Sequence, residues 1–123
     1  NDFENYINHR NNTSTTRKED LTHRFYTLMM DNYREHKEVI FYADKLHVSS
    51  KYLSEVVKET SGKSPKDWII DYSLLEIKEL LKNSSLNIQE ITIRTKFLNQ
   101  SALGRFFKRH TNMSPSEYRE STY

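Results

Sequence analysis

The sequence predicts an all-α fold of about seven helices, built as two similar helical lobes joined by a long central helix. Three observations predict it. Only two Gly and two Pro occur in 123 residues, which suits long helices and argues against a turn-rich β fold. Apolar residues recur at helical spacing through most of the chain. A late stretch also repeats an earlier one. Tyr52-Leu53-Ser54-Glu55-Val56-Val57-Lys58 and the following Gly62-Lys63-Ser64-Pro65 are answered 50 positions on by Ala102-Leu103-Gly104-Arg105-Phe106-Phe107-Lys108 and Asn112-Met113-Ser114-Pro115.

Residues 1–10 suit the end of a helix, and the polar run 11–18 reads as a linker. From Lys18 to about Lys37, Leu21, Phe25, Leu28, Met29 and Tyr33 mark an amphipathic helix. A short helix over Val39–Leu46 follows, with small Ala43 where another helix can cross closely. His47 and Val48 form a turn, Ser49 is an N-cap, and a third helix reaches about Ser61, where Gly62 stops it. Ser64-Pro65-Lys66-Asp67 opens the central helix with a cap, Pro at the first helical position and acid in the first turn. That helix runs to about Lys82. It carries apolar residues on more than one side, as expected of a helix between two bodies. The second lobe then copies the first: Ile88–Thr95, a turn at Lys96-Phe97-Leu98, a helix from Asn99 to Thr111, and a last short helix opened by a Ser114–Glu117 capping box. Short helices correspond at an offset of 49 (Ala43 to Thr92) and long ones at 50, so one extra residue sits in the second turn.

Each pair of short and long helices has the layout of a helix-turn-helix. In the first long helix Leu53, Val56, Val57 and Thr60 form an inward stripe, while Lys51, Ser54, Glu55 and Lys58 point outward. In the second, Leu103, Phe106, Phe107 and His110 point inward, with Ser101, Gly104, Arg105 and Lys108 outward. In this motif the second helix enters the DNA major groove and its early outward residues reach base edges. Arg105 suits two bonds with guanine and Gln100 two with adenine. Lys58, Lys108 and Arg109 lie further along, where phosphate contacts are expected, and Ser49, Ser50 and Asn99 join them from the helix starts. Singly, any of these residues could equally be the solvated face that every surface helix needs. The recurrence of the whole outward pattern favours DNA. Gly104 admits two readings, close approach of DNA or tight helix packing. His110, Trp68 and the many Tyr read as core and rim.

Net charge is only +2, but its distribution is uneven. No acid lies between Glu90 and Glu117, where Arg94, Lys96, Arg105, Lys108 and Arg109 fall, and residues 45–66 hold five Lys against Glu55 and Glu59. Such a field favours a polyanion, although a merely uneven solvated surface would look the same.

The chain resembles the C-terminal DNA-binding domain of the AraC family of bacterial transcription regulators over about residues 20–119. Tyr42-Ala43-Asp44-Lys45-Leu46, Ser49-Ser50-Lys51-Tyr52-Leu53, Gly62-Lys63-Ser64-Pro65 and Glu79-Leu80-Leu81 carry part of it. Phe106-Phe107-Lys108-Arg109-His110-Thr111-Asn112-Met113-Ser114-Pro115-Ser116-Glu117-Tyr118-Arg119 carries most. The resemblance implies two helix-turn-helix lobes whose reading helices enter successive major grooves. It puts base reading on Lys51, Ser54 and Glu55, and on Gln100, Ser101, Gly104 and Arg105. The implied layout is 1–18 as linker or the end of a preceding helix, first lobe 19–64, linking helix 65–83, second lobe 84–119 and tail 120–123. The linking helix, roughly 25 Å long, suits the spacing of grooves about 34 Å apart. Departures from the family pattern are Lys96 and Asn112 in place of turn Gly residues, Leu98 in place of a Ser cap, and Glu55 facing DNA.

The expectation is sequence-specific binding of double-stranded DNA in the cytoplasm, with no catalysis, no cofactor and no metal. RNA polymerase is a second candidate partner, no membrane contact is expected, and dimerisation is expected through a portion ahead of Asn1. The alternative is a helical protein-interaction module with a lapsed DNA-binding face, which Glu55 and the low net charge favour. Cysteine is absent, which removes thiolate zinc sites and cysteine nucleophiles. The five His, at 9, 23, 36, 47 and 110, lack metal-ligand spacing.

Overall fold

The computed structural model of the chain describes residues 16–122. Among the described residues every regular element is an α-helix: α1 Arg17–Asn32, α2 Val39–Lys45, α3 Ser50–Ser61, α4 Pro65–Asn83, α5 Ile88–Arg94, α6 Gln100–Thr111 and α7 Pro115–Glu120. The helix end expected in 1–10 lies outside the described residues.

Two expected boundaries move. The linker was expected to reach residue 18, but Thr16 starts α1 sooner: its hydroxyl accepts from the Glu19 N–H at 3.0 Å, and the Glu19 carboxylate accepts from the Thr16 N–H at 3.2 Å. At its other end α1 stops at Asn32 rather than Lys37. No apolar residue falls between Tyr33 and Val39 to bury a further turn. The loose carbonyls are taken up locally, with Lys37 Nζ donating to Tyr33 O and Arg34 O.

The described residues divide into two compact units, with the boundary inside α4 between Ile70 and Asp71. The linking helix is therefore shared between the units instead of standing apart from them. In the first unit α1 packs mainly on α3, and α2 packs on both. Phe25, Met29, Tyr42, Leu53 and Val57 are fully buried there, with Trp68 and Ile69 from α4 also in the core. The Tyr42 ring meets Phe25 edge-on at 5.5 Å, and its hydroxyl donates to His36 O at 2.6 Å. Burial, helped by the Glu38 carboxylate, pushes the Tyr42 phenol far above its ordinary pKa. The Trp68 indole N–H donates to Ser61 Oγ at 2.9 Å, tying α4 to the end of α3.

The second unit is built around Ile77, Leu81, Ile91, Leu103 and Phe107, with Phe97, Phe106 and Tyr118 packed against them. Its tail is tied down. Arg119 Nε donates to Leu81 O at 2.8 Å and Lys82 Nζ to Ser121 O at 2.5 Å, so α7 continues through Glu120, one residue past the expected domain end. Along α4 positions 66, 67, 71, 75, 79 and 83 are exposed, so from residue 67 on the wet positions fall every fourth residue.

Candidate functional site

The two matching helices α3 and α6 both begin at a polar cap and end in a left-handed residue. Ser49 Oγ accepts from the Tyr52 N–H at 3.0 Å, and Asn99 Oδ1 accepts from the Ala102 N–H at 2.8 Å, so Asn99 takes over the cap that Leu98 cannot provide. Gly62 closes α3 at φ 90° and Asn112 closes α6 at φ 64°. The turns before the helices also match. His47 and Lys96 are both left-handed, at φ 59° and 63°, so the turn conformation that favours Gly is kept although neither residue is Gly. Val48 N–H then donates to Ala43 O at 3.0 Å and Phe97 N–H to Thr92 O at 3.1 Å. The first helix is capped by the next residue, Ser49, whereas the second waits one residue more, for Asn99. The extra residue is Leu98.

On α3, Leu53, Val56 and Val57 are buried as expected, and Thr60 is half-buried. Lys51, Glu55 and Lys58 are exposed on the other side, with Ser54 half-buried between them. Glu59, also exposed, pairs with Lys18 of α1 at 3.2 Å. The Ser50 hydroxyl departs from expectation: its Oγ is buried and has no hydrogen-bond partner.

On α6, Leu103 and Phe107 are buried and Phe106 is half-buried. His110 was expected inward and is exposed. Its ring leans on Phe106 at 4.9 Å between centroids. Gln100, Ser101, Arg105, Lys108 and Arg109 are exposed. Gln100 Nε2 donates to Gln89 Oε1 at 2.6 Å, which joins the first turn of α6 to α5 and leaves the Gln100 carbonyl and one N–H outward.

Ser101, Gly104, Arg105, Lys108, Arg109 and Ser114 line an open depression of about 650 Å³. Five of these six are residues that the sequence singled out. Ser114, the sixth, was read only as a helix cap. Gly104 is among the residues that line the depression. A Cβ built on it meets nothing within 4 Å, so tight helix packing is not the reason for glycine here. No carboxylate lines the depression. The Glu117 carboxyl of α7 is held below its ordinary pKa by the Ser114 backbone N–H, the Ser114 hydroxyl and the charge of Lys108, two residues that line the depression.

Among the described residues no group of three His, Cys, Asp or Glu could hold a metal ion, and no helix is long and apolar enough to cross a membrane.

Residues 42–121 match the model of a helix-turn-helix domain family. A helix-turn-helix transcriptional regulator of Bacillus subtilis is 32% identical over 77 residues, 63% of this chain and 32% of that protein. The Msm operon regulatory protein of Streptococcus mutans is 31% identical over 78 residues, 63% of this chain and 28% of that protein. The chain thus spans about a third of the length of such relatives. Among solved structures, the C-terminal domain of AraT, a response regulator from Geobacillus stearothermophilus, superposes with a TM-score of 0.73 at 25% identity, covering 88% of this chain and 93% of that one. The DNA-binding domain of AdpA, solved with a target DNA, gives 0.66 at 23% identity, covering 80% and 88%.

Proposed function

Because the chain belongs to the AraC-type helix-turn-helix family, we propose that it is the sequence-specific DNA-binding part of a bacterial transcription regulator. One observation carries the reading: α6 presents Arg105, Lys108 and Arg109 around a depression that no carboxylate lines. A duplex is a line of phosphates flanking base edges, and such a surface can address both at once. Arg105 is assigned to a guanine edge, Gln100 to adenine, and Ser101 to either partner. Lys108 and Arg109 are assigned to phosphates, as is Asn99 at the helix start. On α3 the corresponding base readers are Lys51, Ser54 and Glu55. Lys58, Ser49 and the Ser50 backbone hold the sugar-phosphate chain. The two reading helices engage successive major grooves. The reading involves no catalysis.

AdpA, whose DNA-binding domain was solved with its target DNA, supports the same use of the fold. The reading extends to the cytoplasm as the site of action, to contact with RNA polymerase, and to dimerisation through a portion outside this chain. Selection of bound sites from random duplex DNA tests it, followed by affinity at rising salt. Enrichment of a bipartite site, with log affinity falling linearly against log salt, is the expected result. Failure to bind any duplex near roughly 50 mM salt overturns it and favours the protein-interaction reading, for which the carboxylates of Glu55 and Glu59 on α3 are the specific support.

A further inference from the structure

We propose that Leu98 is a specificity residue whose side chain meets the C5-methyl of a thymine at the leading end of α6. This deepens the reading of α6 as a DNA-reading helix and rests on it. Leu98 is the extra residue of the second turn, with no counterpart before α3. It is also 92% exposed, more than any other large apolar side chain of the described residues.

The fold makes no use of it. A residue just ahead of an N-cap can staple the helix start by packing on the fourth helical residue. Here that residue is Leu103, which is fully buried in the core while Leu98 stands in water. Capping is done by Asn99, and the backbone bond that closes the turn is made by Phe97. A polar side chain would serve the turn equally well and would be better hydrated.

Its place supplies the missing use. Leu98 directly precedes Asn99, Gln100 and Ser101, and the start of a reading helix is the part that reaches base edges. In the major groove the apolar group offered by a base edge is the thymine methyl. The basic residues further along α6 hold the backbone, and an apolar tip at the start of the same helix completes a surface for a groove edge carrying one methyl. The half-site of the first unit lacks this contact, because half-buried Val48 runs straight into Ser49.

Replacing each thymine of the selected site by deoxyuridine, one at a time, removes single methyls without altering the hydrogen-bonding pattern. With the whole chain and binding read by fluorescence anisotropy, one thymine should be sensitive, its replacement weakening binding about four-fold, the size of one buried methyl. In Leu98→Ala that sensitivity should vanish while melting temperature stays put, since the side chain packs on nothing. If Leu98→Ala keeps the same uracil profile and affinity, the assignment is overturned and the exposed leucine serves a protein partner instead. Arg105→Ala run alongside separates the levels: relaxed preference there with an unchanged Leu98→Ala leaves base reading by α6 standing and sinks only the methyl contact. Absence of any DNA binding overturns both.

Discussion

Substituting Gly104→Ala should make the protein more stable and a poorer DNA binder, two effects of opposite sign from one methyl group. Glycine inside a helix is less favourable than alanine by about 1 kcal/mol, through backbone entropy. Relief of that term is usually offset where the new Cβ collides with a neighbour, but here it meets nothing within 4 Å. Gly104 also has no left-handed φ to defend, unlike Gly62 at 90°. A stabilisation of about 1 kcal/mol corresponds to a rise in melting temperature of roughly 4 °C for a domain of this size. The same methyl would be added at a residue that lines the depression together with Ser101, Arg105 and Lys108. If DNA seats there, it must be displaced by part of an ångström, and the bidentate contact of Arg105 is lost with it, at a cost of about 1–3 kcal/mol. Thermal unfolding by circular dichroism and titration of the selected site by anisotropy give the two numbers from one preparation. Tighter or unchanged DNA binding by the stabilised variant would refute the reasoning, since it would show that nothing approaches Gly104. A fall in melting temperature would refute the open-space argument itself.

Arg105→Ala should cost about 1–3 kcal/mol on the selected site and relax preference at one base pair, checked by repeating the selection with the variant. Lys108→Ala should weaken all sequences alike and lower the salt slope by about one, whereas a base-specific loss would contradict its phosphate role. Gly62→Ala should destabilise by about 1–2 kcal/mol, because alanine is strained at φ 90°, while Lys96→Gly should not destabilise, since its φ of 63° already favours glycine; urea unfolding of both variants compares the signs. The depressed pKa of Glu117 means that its folded carboxyl binds a proton less readily than the unfolded one. Its contribution is therefore full above the unfolded carboxylate pKa and is lost as pH falls through the folded value. The gap in melting temperature between the wild-type chain and Glu117→Ala should accordingly be present at neutral pH and shrink on acidification; a gap that grows toward acid would reverse the sign of the argument.

Much of this was legible because it depends on local chemistry. Cap residues such as Ser49, Asn99 and Ser114 satisfy donors three residues away, and Gly62 or Asn112 stops a helix through its own φ. Helical spacing found Leu53, Val56, Leu103 and Phe107 for the same reason. What escaped depends on distance in sequence or on where a core ends. His110 continues the stripe of Leu103, Phe106 and Phe107 but is exposed, which spacing along one helix does not reveal. The pairing of Lys18 with Glu59 joins residues 41 apart, which periodicity cannot see. The buried hydroxyl of Ser50 and the place of Ser114 on the rim of the depression are likewise set by neighbouring helices. His47 gave no sign of its left-handed turn, although its match to Lys96 at the shared offset could have found it.

The repeat is close in backbone and uneven in charge, and that inequality bears on how a bipartite site is read. At equivalent positions α3 has Glu55, Lys58 and Glu59 where α6 has Arg105, Lys108 and Arg109. On α3 the two carboxylates balance Lys51 and Lys58, and one of them, Glu59, is drawn to Lys18. α6 itself carries no carboxylate against its three cations, although Glu117 of α7 interacts with Lys108. Counterion release scales with the phosphates a helix neutralises, so if both helices meet DNA as proposed, sequence-independent affinity should come mainly from the second unit. Glu55 acts differently. It can accept a bond from a cytosine amino group, but it repels every phosphate it meets out of register. On the proposed reading, an acid at that position would make engagement of the first unit conditional on the correct base, after the second unit has supplied the hold. A wrong sequence then loses the attraction of a contact and also meets a repulsion, which is how one weakly basic helix can sharpen the choice made by a strongly basic one.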